Sequence, residues 1–209
     1  MLPVTRTAWF RIGAGTVLLS ALAIVTGMVV DAAIFAGFIP ARLSGLDVQF
    51  IAVPTLLTTL TSTLVHGDFT HLSFNMLFLA LTGRIIEQVL GRWGVATLYI
   101  FSAYVAAIAQ WLVGQNDVAP MIGASGAVSG MIGALVIAYS TPRSVLVSRA
   151  ANRWLNIVWI IATWTVLQWA MGFAMGLDGT NVAVAAHIGG FVAGMAAFWP
   201  LVKWKYRRA

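Results

Sequence analysis

Ser125 lies in the string Gly123-Ala-Ser125-Gly126, and His187 in Ala186-His187-Ile-Gly-Gly190. A serine hydroxyl is a weak nucleophile until a neutral imidazole within hydrogen-bond reach takes its proton. Attack on a carbonyl then creates an oxyanion, which needs donors already in place. His71 and Asn75 are four residues apart, hence on one face of a helix. They offer a ring N–H and an amide NH₂. The backbone N–H of Ser125 joins them if Ser125 opens a helix, where N–H groups lack intrahelical acceptors and the helix dipole favours negative charge. No Asp or Glu falls near these residues within a helix, so the expectation is a Ser–His dyad without a third member.

Six apolar segments could position them, read from length and apolarity as membrane spans: Ile12–Phe38, His71–Leu90, Trp93–Val113, Ser125–Tyr139, Trp154–Met175 and Asn181–Val202. The fold expected is an all-α polytopic membrane helix bundle forming one domain over residues 1–209. The first run exceeds the apolar core of a signal peptide and is taken as a retained helix. The fourth extends only about 22 Å at 1.5 Å per residue, less than the ~30 Å hydrocarbon core. It must therefore begin or end within the membrane. The loop-like stretch Gly114–Gly123 before it implies a wet depression at its start. Spans two, four and six begin on the same side, which brings His71, Asn75, Ser125 and His187 into one layer. The small-residue pairs Gly126/Gly130 and Ala186/Gly190/Gly194 allow spans four and six to pack closely.

Composition agrees. Of 209 residues, 12 are Lys/Arg, 6 are Asp/Glu and 60% are hydrophobic. The charged fraction of 9% is far below the roughly 25% of soluble domains. Soluble and disordered classes are excluded, the latter because disorder needs low hydrophobicity and high charge. With no cysteine, disulfides, Cys–metal sites and a cysteine nucleophile are excluded. The net charge of +6 is a matter of topology and does not require nucleic acid. Arg6, Arg11, Arg84, Arg92, Arg143, Arg149, Arg153, Lys203, Lys205, Arg207 and Arg208 fall on one side, and Arg42 alone on the other. Lys/Arg excess marks the cytoplasm. Both termini are thus expected inside, with Pro40–Phe69, Gly114–Gly123 and Gly176–Thr180 outside and the first of these partly in the interface.

The stretch His66-Gly-Asp-Phe-Thr-His71-Leu-Ser-Phe-Asn75, with Gly83 and Glu87 after it, resembles the second helix of rhomboid intramembrane serine proteases. Gly123-Ala-Ser125-Gly126 resembles their GxSG motif, and Ala186-His187 through Gly190 and Gly194 their AHxxGxxxG helix. The resemblance covers about His66 to the end. It implies Ser125 as nucleophile, His187 as general base, and Asn75 and His71 as oxyanion donors. It also implies Glu87 as a polar anchor at the inner end of the second helix, with no metal or organic cofactor. The implied substrates are transmembrane segments of other membrane proteins, cut near the outer face of the bilayer. Two positions depart from the pattern. Leu57 and Thr58 stand where many rhomboids carry Trp-Arg, and Ser129 where some place a tyrosine against the histidine.

Blander readings stand beside these. Ser125 and Asn75 could serve helix packing, and His66 reads as structural. Trp154, Trp159, Trp164 and Trp169 recur every five residues, form no stripe, and are expected mostly to face lipid or the interface. An inactive client-binding relative, a proton pathway and a zinc site are the competing functions. The intact Ser–His pair, the single polar layer and the shortage of ligands argue against them in turn.

Overall fold

The computed structural model describes residues 3–140, 148–176 and 183–207. Helix α1 (Ala8–Val25) starts where the Glu87 carboxylate accepts the backbone N–H groups of Ala8 and Trp9 at 2.9–3.2 Å. A carboxylate there offsets the unpaired donors and positive end of the helix. The expected first span, Ile12–Phe38, is corrected: α1 stops at Val25, because Gly27 adopts φ 72°. Met28 N–H then reaches Ala23 O at 2.9 Å and Gly27 N–H reaches Ile24 O at 3.2 Å, the paired closure of a Schellman turn. The chain continues as the short helices α2 (Val29–Ala36), α3 (Pro40–Leu43) and α4 (Thr55–Thr61), then a 3₁₀ turn, Ser62–Leu64.

Helix α5 (Phe69–Val113) is opened by Asp68, whose carboxylate accepts His71 N–H at 2.8 Å. Gly91, at φ 72° and ψ 172°, breaks it into legs 69–90 and 92–113, which coincide closely with the second and third expected spans. Helix α6 covers the expected Ser125–Tyr139. Helix α7 (Arg149–Gly176) begins five residues before the expected Trp154, and α8 is Val184–Lys205. The expected start of the last span at Asn181, the linker beyond Gly176, and Arg143 and Arg208 lie outside the described residues.

Two apolar clusters hold α5, α6 and α8 together. Ile86, Leu90, Val95, Leu98, Met131, Ala134 and Phe198 pack near the Gly91 break. Leu79, Tyr99, Ala103, Ala124, Ala127 and Val128 pack nearer the start of α6. Glycines bring backbones together: a Cβ on Gly190 would strike Gly126 O, one on Gly194 would strike Gly130 O, and one on Gly133 would strike Phe191 O. At the Gly91 end, Lys205 Nζ donates to Val89 O at 2.7 Å and Tyr206 OH to the same oxygen at 3.2 Å. The amino end of α1 and the carboxyl end of α8 therefore lie beside the Gly91 break, and the start of α6 lies at the opposite end of the bundle.

Large apolar side chains cover the outside, among them Leu18, Val25, Phe74, Trp159, Val166 and Trp169. So continuous an apolar exterior is stable in lipid and would aggregate in water. α1, α5 and α8 are long and apolar enough to cross a bilayer. The chain is an integral membrane protein built as an all-helical bundle.

Candidate active site

The turn before Ser125 is held from three directions. Met121 and Phe38 exchange both backbone hydrogen bonds, at 2.8 and 3.0 Å. Gly123 N–H donates to Ser62 O at 2.9 Å. Ala124 N–H donates to His66 Nε2 at 3.2 Å. His66 is wholly buried, and its Nδ1 lies 2.9 Å from Ser20 Oγ on α1, which in turn donates to Leu64 O at 2.8 Å. Since Nε2 accepts, the Nδ1 proton must point to Ser20. Burial, reinforced by neighbouring His71 and opposed by Asp68, lowers the His66 pKa to about 3, so it stays neutral. Gly123 has φ 111°, where a side chain is strained, and a Cβ there would lie 2.7 Å from His71 Cε1. Only glycine lets the turn lie against that ring.

Ser125 is the first residue of α6, and the first intrahelical bond runs from Val128 N–H to Ala124 O at 2.9 Å. The N–H groups of Ser125, Gly126 and Ala127 therefore have no acceptor within the helix. The close α6–α8 packing sets His187 Nε2 2.8 Å from Ser125 Oγ, both residues half-buried. His187 is the fourth residue of the described α8.

Asn75 is buried, and its Nδ2 donates to His71 O at 2.9 Å, one turn earlier. His71 sets its ring against Gly123 and edge-on to His66, with centroids 4.9 Å apart. The structure thus brings Ser125 and His187 into hydrogen-bond contact and places His71 and Asn75 on the helix beside the turn that leads into Ser125.

Gln168 is the residue that the motif reading passed over. It is buried on α7, and its Oε1 lies 2.7 Å from His187 Nδ1. One turn before it, Trp164 donates its indole N–H to His187 O at 3.4 Å and stacks on Phe191, with centroids 4.5 Å apart and planes 9° from parallel. Trp154, Trp159 and Trp169 are exposed as expected, whereas Trp164 faces inward. Depth alone pointed toward Gln168. It sits about 12 Å from the Gly176 end of its helix at 1.5 Å per residue, near the layer of the His187 turn.

The departures also have a structure. Thr58 is wholly buried with its hydroxyl donating to Thr55 O, and Leu57 is exposed. Ser129 is buried where a tyrosine could have stood. Glu87 anchors α1 to α5 through the Ala8 and Trp9 N–H groups.

The Rhomboid domain family model matches residues 54–204. Rhomboid-like protein 11, chloroplastic, of Arabidopsis thaliana is 31% identical over 155 residues, which cover 68% of this chain and 51% of that protein. Rhomboid protease AarA of Providencia stuartii is 30% identical over 64% of this chain and 51% of its own length. Rhomboid protease GluP of Bacillus subtilis is 29% identical over 66% and 24%. The chain thus spans about half the length of these relatives, or less. The family match covers the helices that carry Asn75, Ser125, Gln168 and His187, and the chain belongs to the rhomboid family.

Proposed function

We propose that this protein is an intramembrane serine endopeptidase that cuts transmembrane segments of other membrane proteins near the outer face of the bilayer. The observation that carries the reading is the 2.8 Å contact between Ser125 Oγ and His187 Nε2 at the start of a helix of only 15 residues, too short to cross the hydrocarbon core. His187 takes the Ser125 proton as Oγ attacks the scissile carbonyl carbon. The oxyanion that forms is met by the Ser125 N–H, the Asn75 amide and the His71 ring. His187 then passes the proton to the leaving amine, and the C–N bond breaks to leave an acyl-Ser125. Water, deprotonated by the same imidazole, hydrolyses that ester. The Lys/Arg bias supports cytoplasmic termini and an outward-facing site. The whole chain acts as one domain, with no metal or cofactor called on by these steps.

The test is cleavage of a transmembrane peptide by purified protein in detergent, alongside labelling by a serine-reactive phosphonate. Ser125→Ala and His187→Ala are expected to lose activity by on the order of 10⁴-fold or more while unfolding at the wild-type temperature. Asn75→Ala is expected to slow turnover on the order of 10²-fold. A wild type that neither cuts nor labels would leave a client-binding relative as the better description.

A further inference from the structure

We propose that Gln168 is a positioning residue for His187: its Oε1 accepts the Nδ1–H and so fixes the tautomer in which Nε2 is free to take the Ser125 proton. The inference rests on the Ser–His reading above and adds a third member to it. Three groups lie in sequence, Gln168 Oε1 to His187 Nδ1 at 2.7 Å and His187 Nε2 to Ser125 Oγ at 2.8 Å. The orientation of the amide follows from the chain of bonds. A flipped amide would present N–H to Nδ1, and the opposite tautomer would aim an N–H at Ser125 Oγ. That arrangement could not receive the serine proton. Only the carbonyl oxygen facing Nδ1–H leaves a lone pair for catalysis, and the same division of labour governs hydrolytic triads generally.

Gln168 is suited to this in two ways. It is 4% exposed, so water does not compete for its oxygen. It is also neutral, so it orients the ring without placing an unpaired carboxylate at membrane depth. Trp164, one turn away, grips the His187 carbonyl and the Phe191 ring. Residues 164 and 168 of α7 therefore face 187 and 191 of α8, and the register between the two helices sets where Oε1 falls.

The experiment uses the full chain in detergent with three variants at this position. Gln168→Met keeps the length and removes the acceptor, whereas Gln168→Glu restores an acceptor oxygen. Gln168→Met is expected to lower kcat and the rate of phosphonate labelling on the order of 10²-fold, with KM and the unfolding temperature held. Gln168→Glu is expected to recover kcat to within about tenfold of wild type. Wild-type labelling by Gln168→Met overturns the proposal, as does a folded Gln168→Glu no faster than Gln168→Met. Should Gln168→Met unfold, Gln168→Asn draws the acceptor back by one methylene, and an unchanged kcat there also overturns it. Ser125→Ala labelling like wild type would instead sink the Ser–His reading and this proposal with it. An active wild type with an unaffected Gln168→Met sinks the positioning role alone.

Discussion

His66 touches neither Ser125 nor His187 by hydrogen bond, yet it helps to hold the Ser125 turn. Its Nε2 takes the Ala124 N–H and its Nδ1 faces Ser20. Its pKa falls from 6.5 to about 3 because burial penalises the cation. Below pH 6.5 the unfolded chain gains a proton at this position that the folded chain refuses, so stability present above 6.5 drains away as the pH falls toward 3. Thermal unfolding in detergent between pH 7 and pH 4 is expected to show that loss, and His66→Gln to show less of it. An equal slope in the variant would assign the pH dependence to other groups. At this scale much was legible. Ser125, His187, His71 and Asn75 stand in short strings that make them candidates by residue type, and the structure brings Ser125 and His187 into contact. Gln168 was harder, since nothing in an apolar run says which way its side chain turns. That direction depends on the rotation of α7 about α8, which the Trp164–Phe191 stack helps to set.

At the scale of elements, the α6–α8 contact determines whether serine and histidine meet. Glycines at 133, 190 and 194 let the two backbones touch, so a side chain at any of them must push α6 and α8 apart, whereas one at Gly126 or Gly130 would first strike Ala106 or Ser102 on α5. Gly190→Val and Gly194→Val are expected to cost about 1–3 kcal/mol or more through overpacking, with loss of phosphonate labelling. Gly15 meets nothing within 4 Å, and Gly15→Ala is expected to be neutral or to stabilise by about 0.5–1 kcal/mol. Comparing unfolding temperatures of the three variants checks this. The length of the apolar runs located α6 and both legs of α5 well, because glycine, proline and polar residues punctuate them. It ran α1 through Gly27, since one glycine within an apolar run carries no sign of its positive φ. The Gly91 break was legible only as a gap between two apolar runs.

At the scale of the molecule, charge and apolar surface divide the labour. Apolar side chains face outward along the bundle, and the described Lys and Arg residues gather largely toward the Gly91 end. The chain has no cysteine, so a single introduced one reports the side on which it lies. In intact cells, a membrane-impermeant maleimide is expected to label Asn116→Cys freely, and Arg207→Cys only after permeabilisation. The reverse pattern would invert the proposed orientation. The exposed positions of both residues make the measurement direct. The placing of Ser125 and His187 on separate helices also has a consequence for biosynthesis. The ribosome delivers α6 to the membrane well before α8, and until α8 inserts, Ser125 lacks the imidazole of His187. On the proposed Ser–His mechanism, a chain still being made is therefore inert toward its neighbours at the insertion site, and proteolytic competence is expected only once α8 docks against the glycines of α6.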